Sequence, residues 1–256
     1  MRQLAILCLM LLLTGCTENQ PAANIGQGYH ALEGGQYDEA RVTADAYLDK
    51  SPRGAEAASA LYLKGRSFEQ RPKLNRDEAA RDWDKASASY NEAAKLNPPE
   101  PLRSYIYSSQ ANVAFLREDF LTAVEQWTSS YAGMDKDYVR GWVLYRIGLC
   151  QQRLGRLDQA DHNFAIVMQQ YPNTEPAKLA SEHRGARSFY VQVGAFSSPA
   201  NAEKALNELR ALGVTGTRFI DGSMHVARAG PYPTWQAART VKQKLADKYP
   251  KAIIQP

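Results

Sequence analysis

Residues 28–52, "GYHALEGGQYDEARVTADAYLDKSP", and residues 148–172, "GLCQQRLGRLDQADHNFAIVMQQYP", follow one scaffold. Each has a Gly, a second Gly seven residues on, an Ala five further, an aromatic beyond it and a closing Pro. The frame recurs between them. Its opening small residues are Gly28, Gly65, Ala111 and Gly148, spaced 37, 46 and 37, and its alanines are Ala40, Ala86, Ala123 and Ala160, spaced 46, 37 and 37. The two series differ because nine extra residues lie in the second repeat, around "QRPKLNRDE" (70–78). Self-similarity at such a period marks stacked supersecondary units that bury a core only together. Small residues let paired helices approach, and Tyr47, Tyr90, Trp127 and Phe164 are expected to fill the space between pairs. Pro52, Pro98 and Pro172 end second helices, because Pro cannot continue one. Residues 172–188 read as a turn, a capping helix and a linker.

The pattern resembles the tetratricopeptide repeat (TPR), a helix–turn–helix of period near 34, over about residues 22–185 and in about four copies. The resemblance implies an α-solenoid whose first helices form a concave face. Carried over by register, that face holds Tyr29, Tyr62, Arg66, Tyr105, Asn112, Trp142 and Tyr145. Such an aromatic groove suits a peptide partner. Packing of these rings between neighbouring repeats is an equal alternative at this point.

The chain then changes character. Residues 188–209, "SFYVQVGAFSSPANAEKALNEL", begin with period-two alternation. Phe189, Val191, Val193 and Ala195 face one way, and Tyr190, Gln192, Gly194 and Phe196 the other. Ser198 offers an N-cap with Pro199 at the first helical position. A helix with Ala202, Ala205, Leu206, Leu209 and Leu212 on one face follows, and Gly213 stops it. Asp221-Gly222 joins two strands as a hairpin. A second helix, capped by Thr234 and with Ala238, Val241 and Leu245 inward, runs to Pro250, and "KAIIQ" is the last strand. The order is β-α-β-β-α-β, an antiparallel sheet with helices on one face. The expected architecture is therefore multidomain, an all-α solenoid followed by a small α+β domain.

"YVQVGAFSSPANAEKALNELRALG" with "HVARAGPYPTWQAARTVKQKL" resembles the SPOR (sporulation-related repeat) domain of bacterial envelope proteins, over residues 187–256. The resemblance implies binding to septal peptidoglycan, at glycan strands stripped of stem peptides. The uncovered sheet face is expected to carry Tyr190, Gln192, Met224, Val226 and Arg228. Tyr190 offers a flat surface to a sugar ring, Gln192 both donates and accepts, and Arg228 can pair with a lactyl carboxylate. The family usually has Arg at the position of Val226. Arg228 lies two residues on, about 7 Å away along the strand.

The start of the chain supplies an address. "MRQLAILCLMLLLTGC" has one basic residue, an apolar run and small residues before Cys16, the order of an export signal. "LTGC" resembles the lipobox of bacterial lipoproteins. This implies a signal peptide over 1–15, lipidation at Cys16 and a tether over 16–21. With Thr17 next, the expected location is the outer membrane, lipid-anchored and facing the periplasm. Cys150 is then the one remaining thiol, without a disulfide partner and expected to pack as a small hydrophobe.

Residues 187–256 carry ten Lys/Arg and four Asp/Glu, net +6, against net −3 for residues 17–186. The tail is the part suited to an anionic partner. His30, His162, His183 and His225 have no metal spacing, and no catalytic motif is present. Catalytic residues, metal and cofactor are therefore expected to be absent, and His162 and His183 to be solvated. Nucleic acid is excluded as a routine partner by the export signal, although the sheet topology matches RNA-binding modules. The expected partners are peptidoglycan, an unidentified periplasmic or division protein, and the membrane through the anchor. An alternative is an envelope assembly factor resembling the TPR lipoprotein of the β-barrel assembly machine, with the SPOR domain as a tether.

Overall fold

Helix pairs are where the repeated small residues act. The computed structural model describes residues 24–256, so the signal peptide, Cys16 and the tether lie outside the described residues. Four antiparallel pairs follow one another: α1 (Ile25–Glu33) with α2 (Tyr37–Lys50), α3 (Ala57–Gln70) with α4 (Arg76–Lys95), α5 (Leu102–Leu116) with α6 (Phe120–Tyr131), and α7 (Asp137–Arg153) with α8 (Leu157–Gln170). α9 (Glu175–His183) caps the stack, with the Thr174 hydroxyl accepting from Ala177 N. A methyl group added at Gly65 would lie 2.3 Å from the Tyr90 ring, and one at Gly148 2.7 Å from the Phe164 ring. These aromatics thus sit against the small residue of their own pair, and Tyr90 also shares a core with Ile106 and Val113 of the next pair, as Tyr47 does with Ala57 and Ala60. The first helix supplies a dent and the second fills it.

The nine extra residues form the α3–α4 connection and lengthen α4 to 20 residues, against 14 for α2 and α8. Asn75 caps α4 by accepting from Glu78 N.

The C-terminal domain is a four-stranded antiparallel sheet in the order β2-β3-β1-β4. Its strands are β1 (Phe189–Phe196), β2 (Gly216–Asp221), β3 (Met224–Tyr232) and β4 (Ile253–Gln255). Helices α10 (Pro199–Ala211) and α11 (Trp235–Lys244) pack on one face, burying Val191, Ala229, Leu209, Ala238 and Leu245. Gly213, at φ +69°, ends the first helix, and the Thr234 hydroxyl caps the second by accepting from Ala237 N. Three local expectations need correction. Ser198 occupies the N-cap position of α10 without a side-chain hydrogen bond, so Pro199 sets that start. α11 stops at Lys244, five residues before Tyr249, where tighter turn bonds from Ala246 N to the Gln243 carbonyl and from Lys248 N to the Leu245 carbonyl, each at 3.2 Å, replace the helical pattern. A bulge between Gln192 and Gly194 shifts the strand by one residue, so Gly194 and Phe196 pair with Ala227 and His225. The open-face alternation beginning at Tyr190 therefore ends at Gln192.

One hydrophobic core runs from Ala111 in the third repeat to Ala252 before the last strand, crossing both domains. At the junction the Trp235 indole meets the Phe120 ring edge-on at 5.1 Å. The Arg153 guanidinium covers Phe115, Phe120 and Trp235 at 4.6, 5.0 and 5.4 Å. Arg239 pairs with Glu118 across the same seam. The linker is pinned too: Asp161 accepts from Gly185 N and from Arg187, each at 2.8 Å. The two domains are docked.

Candidate functional site

The first helices of the four pairs enclose a groove of about 630 Å³. Its walls come from Tyr29 of α1, Tyr62 and Arg66 of α3, Tyr105 and Asn112 of α5, and Trp142 of α7. These are six of the seven residues expected from register. Tyr145, the seventh, is 7 % exposed and packs against Phe164 and His183 instead. The correction has a simple cause. Three residues after Trp142 the helix is about 60° short of a full turn, which sets Tyr145 on the side of the groove face that meets α9. His183, expected to be solvated, is half-buried in that seam, with Gln152 Oε1 3.0 Å from its Nδ1. Burial, reinforced by Arg153, lowers its pKa to about 4.

Sequence reasoning missed the polar floor of the groove. Glu69 is its centre, 10 % exposed, accepting from Tyr90 and, at 3.1 Å, from Asn112 Nδ2. Asn112 in turn accepts from Arg146 Nη1 at 2.7 Å. Arg66 donates to the Tyr62 hydroxyl at 2.8 Å and sits 3.8 Å from Glu69. Burial holds the Tyr29 and Tyr90 hydroxyls protonated well above the usual phenol range. The signal for Glu69 and Arg146 was present, since each is one helical turn from a predicted lining residue (Arg66 and Trp142). Their pairing through Asn112 was not readable, because it joins helices 34 and 43 residues apart.

The second site is the uncovered face of the sheet. Gln192 stands opposite both Arg228 and Ile253, so the three share a face. The Arg228 guanidinium lies 3.5 Å from the Tyr190 ring centre and 4.5 Å from that of Phe219 on β2. Its Nε is buried without a partner. Phe219 was not among the expected residues, although alternation in "GTRFID" marks it. Val226 corrects an expectation: flanked by Phe219 and Ala195, it is 2 % exposed and lies beneath the surface. Met224, at the end of β3 opposite Asp221, is partly exposed. The arrangement offers a guanidinium held flat between two rings beside an amide, a set suited to an anionic, hydroxyl-rich ligand.

Residues 185–256 match the SPOR domain family, and residues 142–174, the α7–α8 pair, match the tetratricopeptide repeat family. No curated protein matches the chain. Among solved structures, TTC0263, a thermophilic TPR protein of Thermus thermophilus, is 15 % identical, with 61 % of this chain and 77 % of that chain covered at a TM-score of 0.50. That likeness shows the helical-repeat fold. The pilF protein of Pseudomonas aeruginosa is 13 % identical over 89 % of this chain and 90 % of its own, at a TM-score of 0.46. Both matched families are binding modules, and the chain combines a TPR-type solenoid with a SPOR domain.

Proposed function

We propose that the chain is an adaptor of the bacterial cell envelope, anchored in the outer membrane through a lipidated Cys16 and facing the periplasm. Its SPOR sheet binds denuded glycan strands of septal peptidoglycan, and its TPR groove holds a periplasmic or division protein. The observation that carries the glycan reading is the cluster of Arg228, Tyr190 and Gln192 on the uncovered face of a domain that matches SPOR. Stacked between two rings, Arg228 loses little side-chain entropy when it meets a lactyl carboxylate, and Gln192 lies beside it for sugar hydroxyl and N-acetyl groups. Because Arg228 covers one side of Tyr190, any sugar stacking takes place on the remaining edge of that ring. With Val226 buried, the polar work falls on Arg228 and Gln192.

The test is co-sedimentation of the full chain with purified sacculi, untreated and amidase-treated, beside the Gln192→Ala, Arg228→Ala double variant. Pelleting that rises after amidase treatment and falls in the variant supports a reader of denuded glycan. Equal pelleting of variant and parent would remove this face from the binding site.

A further inference from the structure

We infer that the groove takes an acidic stretch of polypeptide and that Arg146 is the residue that recognises its carboxylate. This rests on the reading of the groove as the protein-partner site.

Two arginines, Arg66 and Arg146, line the groove. Arg66 is satisfied: it donates to Tyr62 and has Glu69 3.8 Å away. Glu69 is itself used up by Tyr90, Asn112 and Arg66. Arg146 is different. Its guanidinium carries five N–H donors, and one of them meets Asn112 Oδ1 at 2.7 Å. Among the described residues no carboxylate lies within 4.0 Å of it. The Trp127 and Trp142 ring centres lie 5.8 and 5.9 Å from it. The titration tendencies agree with this contrast. Burial pulls Arg146 below the usual guanidinium range, whereas Tyr62 and Glu69 hold Arg66 above it despite burial. Glu69 reaches Arg146 only through Asn112, so the buried guanidinium makes no direct ion pair and keeps donors that a carboxylate in bidentate geometry can meet.

The ends of the groove carry mixed charge. Lys136, exposed at the α7 end, has no ion-pair partner among the described residues, while Glu33 lies at the α1 end beside His30. The α7 end also holds the Asp135 carboxylate, which accepts from the Tyr105 hydroxyl, so Arg146 is set apart by its recessed place and not by the charge of either end. One recessed guanidinium between two indoles fits one carboxylate. A nucleic-acid backbone would require a run of cations along the groove. Tyr29, Tyr105 and Trp142 give the flanking residues of such a peptide apolar walls.

The experiment selects random peptides displayed on phage against the immobilised full chain, and then measures a synthetic peptide from the recovered pool against Arg146→Gln, Arg146→Lys and Trp142→Ala variants. The urea midpoint of each variant beside the parent controls for folding. The expected pool is rich in Asp and Glu. Replacing the key acidic residue by its amide is expected to weaken binding about tenfold, as is Arg146→Gln, with no further loss when the two are combined. Arg146→Lys is expected to fall in between. A pool without acidic bias that still requires Trp142 would keep the groove as the partner site and overturn the carboxylate reading. A pool bound equally by parent and by all three variants, or no pool at all, would overturn the groove reading and this inference with it.

Discussion

At positions 65 and 148 the whole side chain is a hydrogen atom, and the packing of two repeats depends on it. The Tyr90 ring that fills the space over Gly65 is also tied through its hydroxyl to Glu69, so it cannot swing aside. Gly65→Ala is therefore expected to destabilise the protein by about 1–3 kcal/mol as an overpacked core, seen as a lower urea midpoint. His183 gives a pH prediction. Its folded pKa is depressed from 6.5 to about 4, so the unfolded chain takes up the proton first as pH falls. The stability contributed by the neutral ring is complete above pH 6.5 and is lost as pH falls towards 4. Allowing for partial solvent screening, the loss is about 2 kcal/mol, and His183→Gln should flatten that part of the stability-versus-pH curve. Single residues were legible in the sequence where a spacing repeats, as with the small residues and their aromatics. Crowding was not: periodicity places Val226 on a face, but only its neighbours Phe219 and Ala195 decide that it is covered.

Elements were easier to read than their fastenings. The mismatch between two spacing series revealed the nine extra residues, yet nothing in the spacing showed what holds them. Arg71 does so. It donates to Asp82 from Nε at 2.5 Å and from Nη2 at 3.0 Å, and pairs with Glu78 at 2.8 Å. Asp82 is 1 % exposed, so removing its partner leaves a buried carboxylate alone. Arg71→Ala is expected to cost about 3 kcal/mol and to speed protease cleavage between residues 71 and 75. The double variant Arg71→Ala, Asp82→Ala should recover part of that loss. On the sheet, alternation located β1 and the open face as far as Gln192. The bulge that follows was hidden because a strict period of two leaves no place for an extra residue. Gly194 accommodates it: a methyl group there would lie 2.7 Å from the Phe196 ring.

For the whole molecule, the order of a helical solenoid and a small α+β domain was readable from repeats, alternation and turn residues. The relation between the two was not, since Trp235, Phe120 and Arg153 come from three distant segments that no local pattern connects. Their shared core predicts a single cooperative unfolding transition by calorimetry. Trp235→Ala removes the indole from the seam and is expected to destabilise by about 3 kcal/mol, splitting the transition into two. A chain whose domains melted separately without any substitution would overturn the shared core. The docked seam also has a mechanical meaning. A flexible tether would deliver a partner to the wall only as raised local concentration, free to point anywhere. Here torque applied at the sheet passes through Trp235 and Arg153 to the helices, so in the proposed adaptor the direction of a bound strand would set the heading of whatever the groove holds.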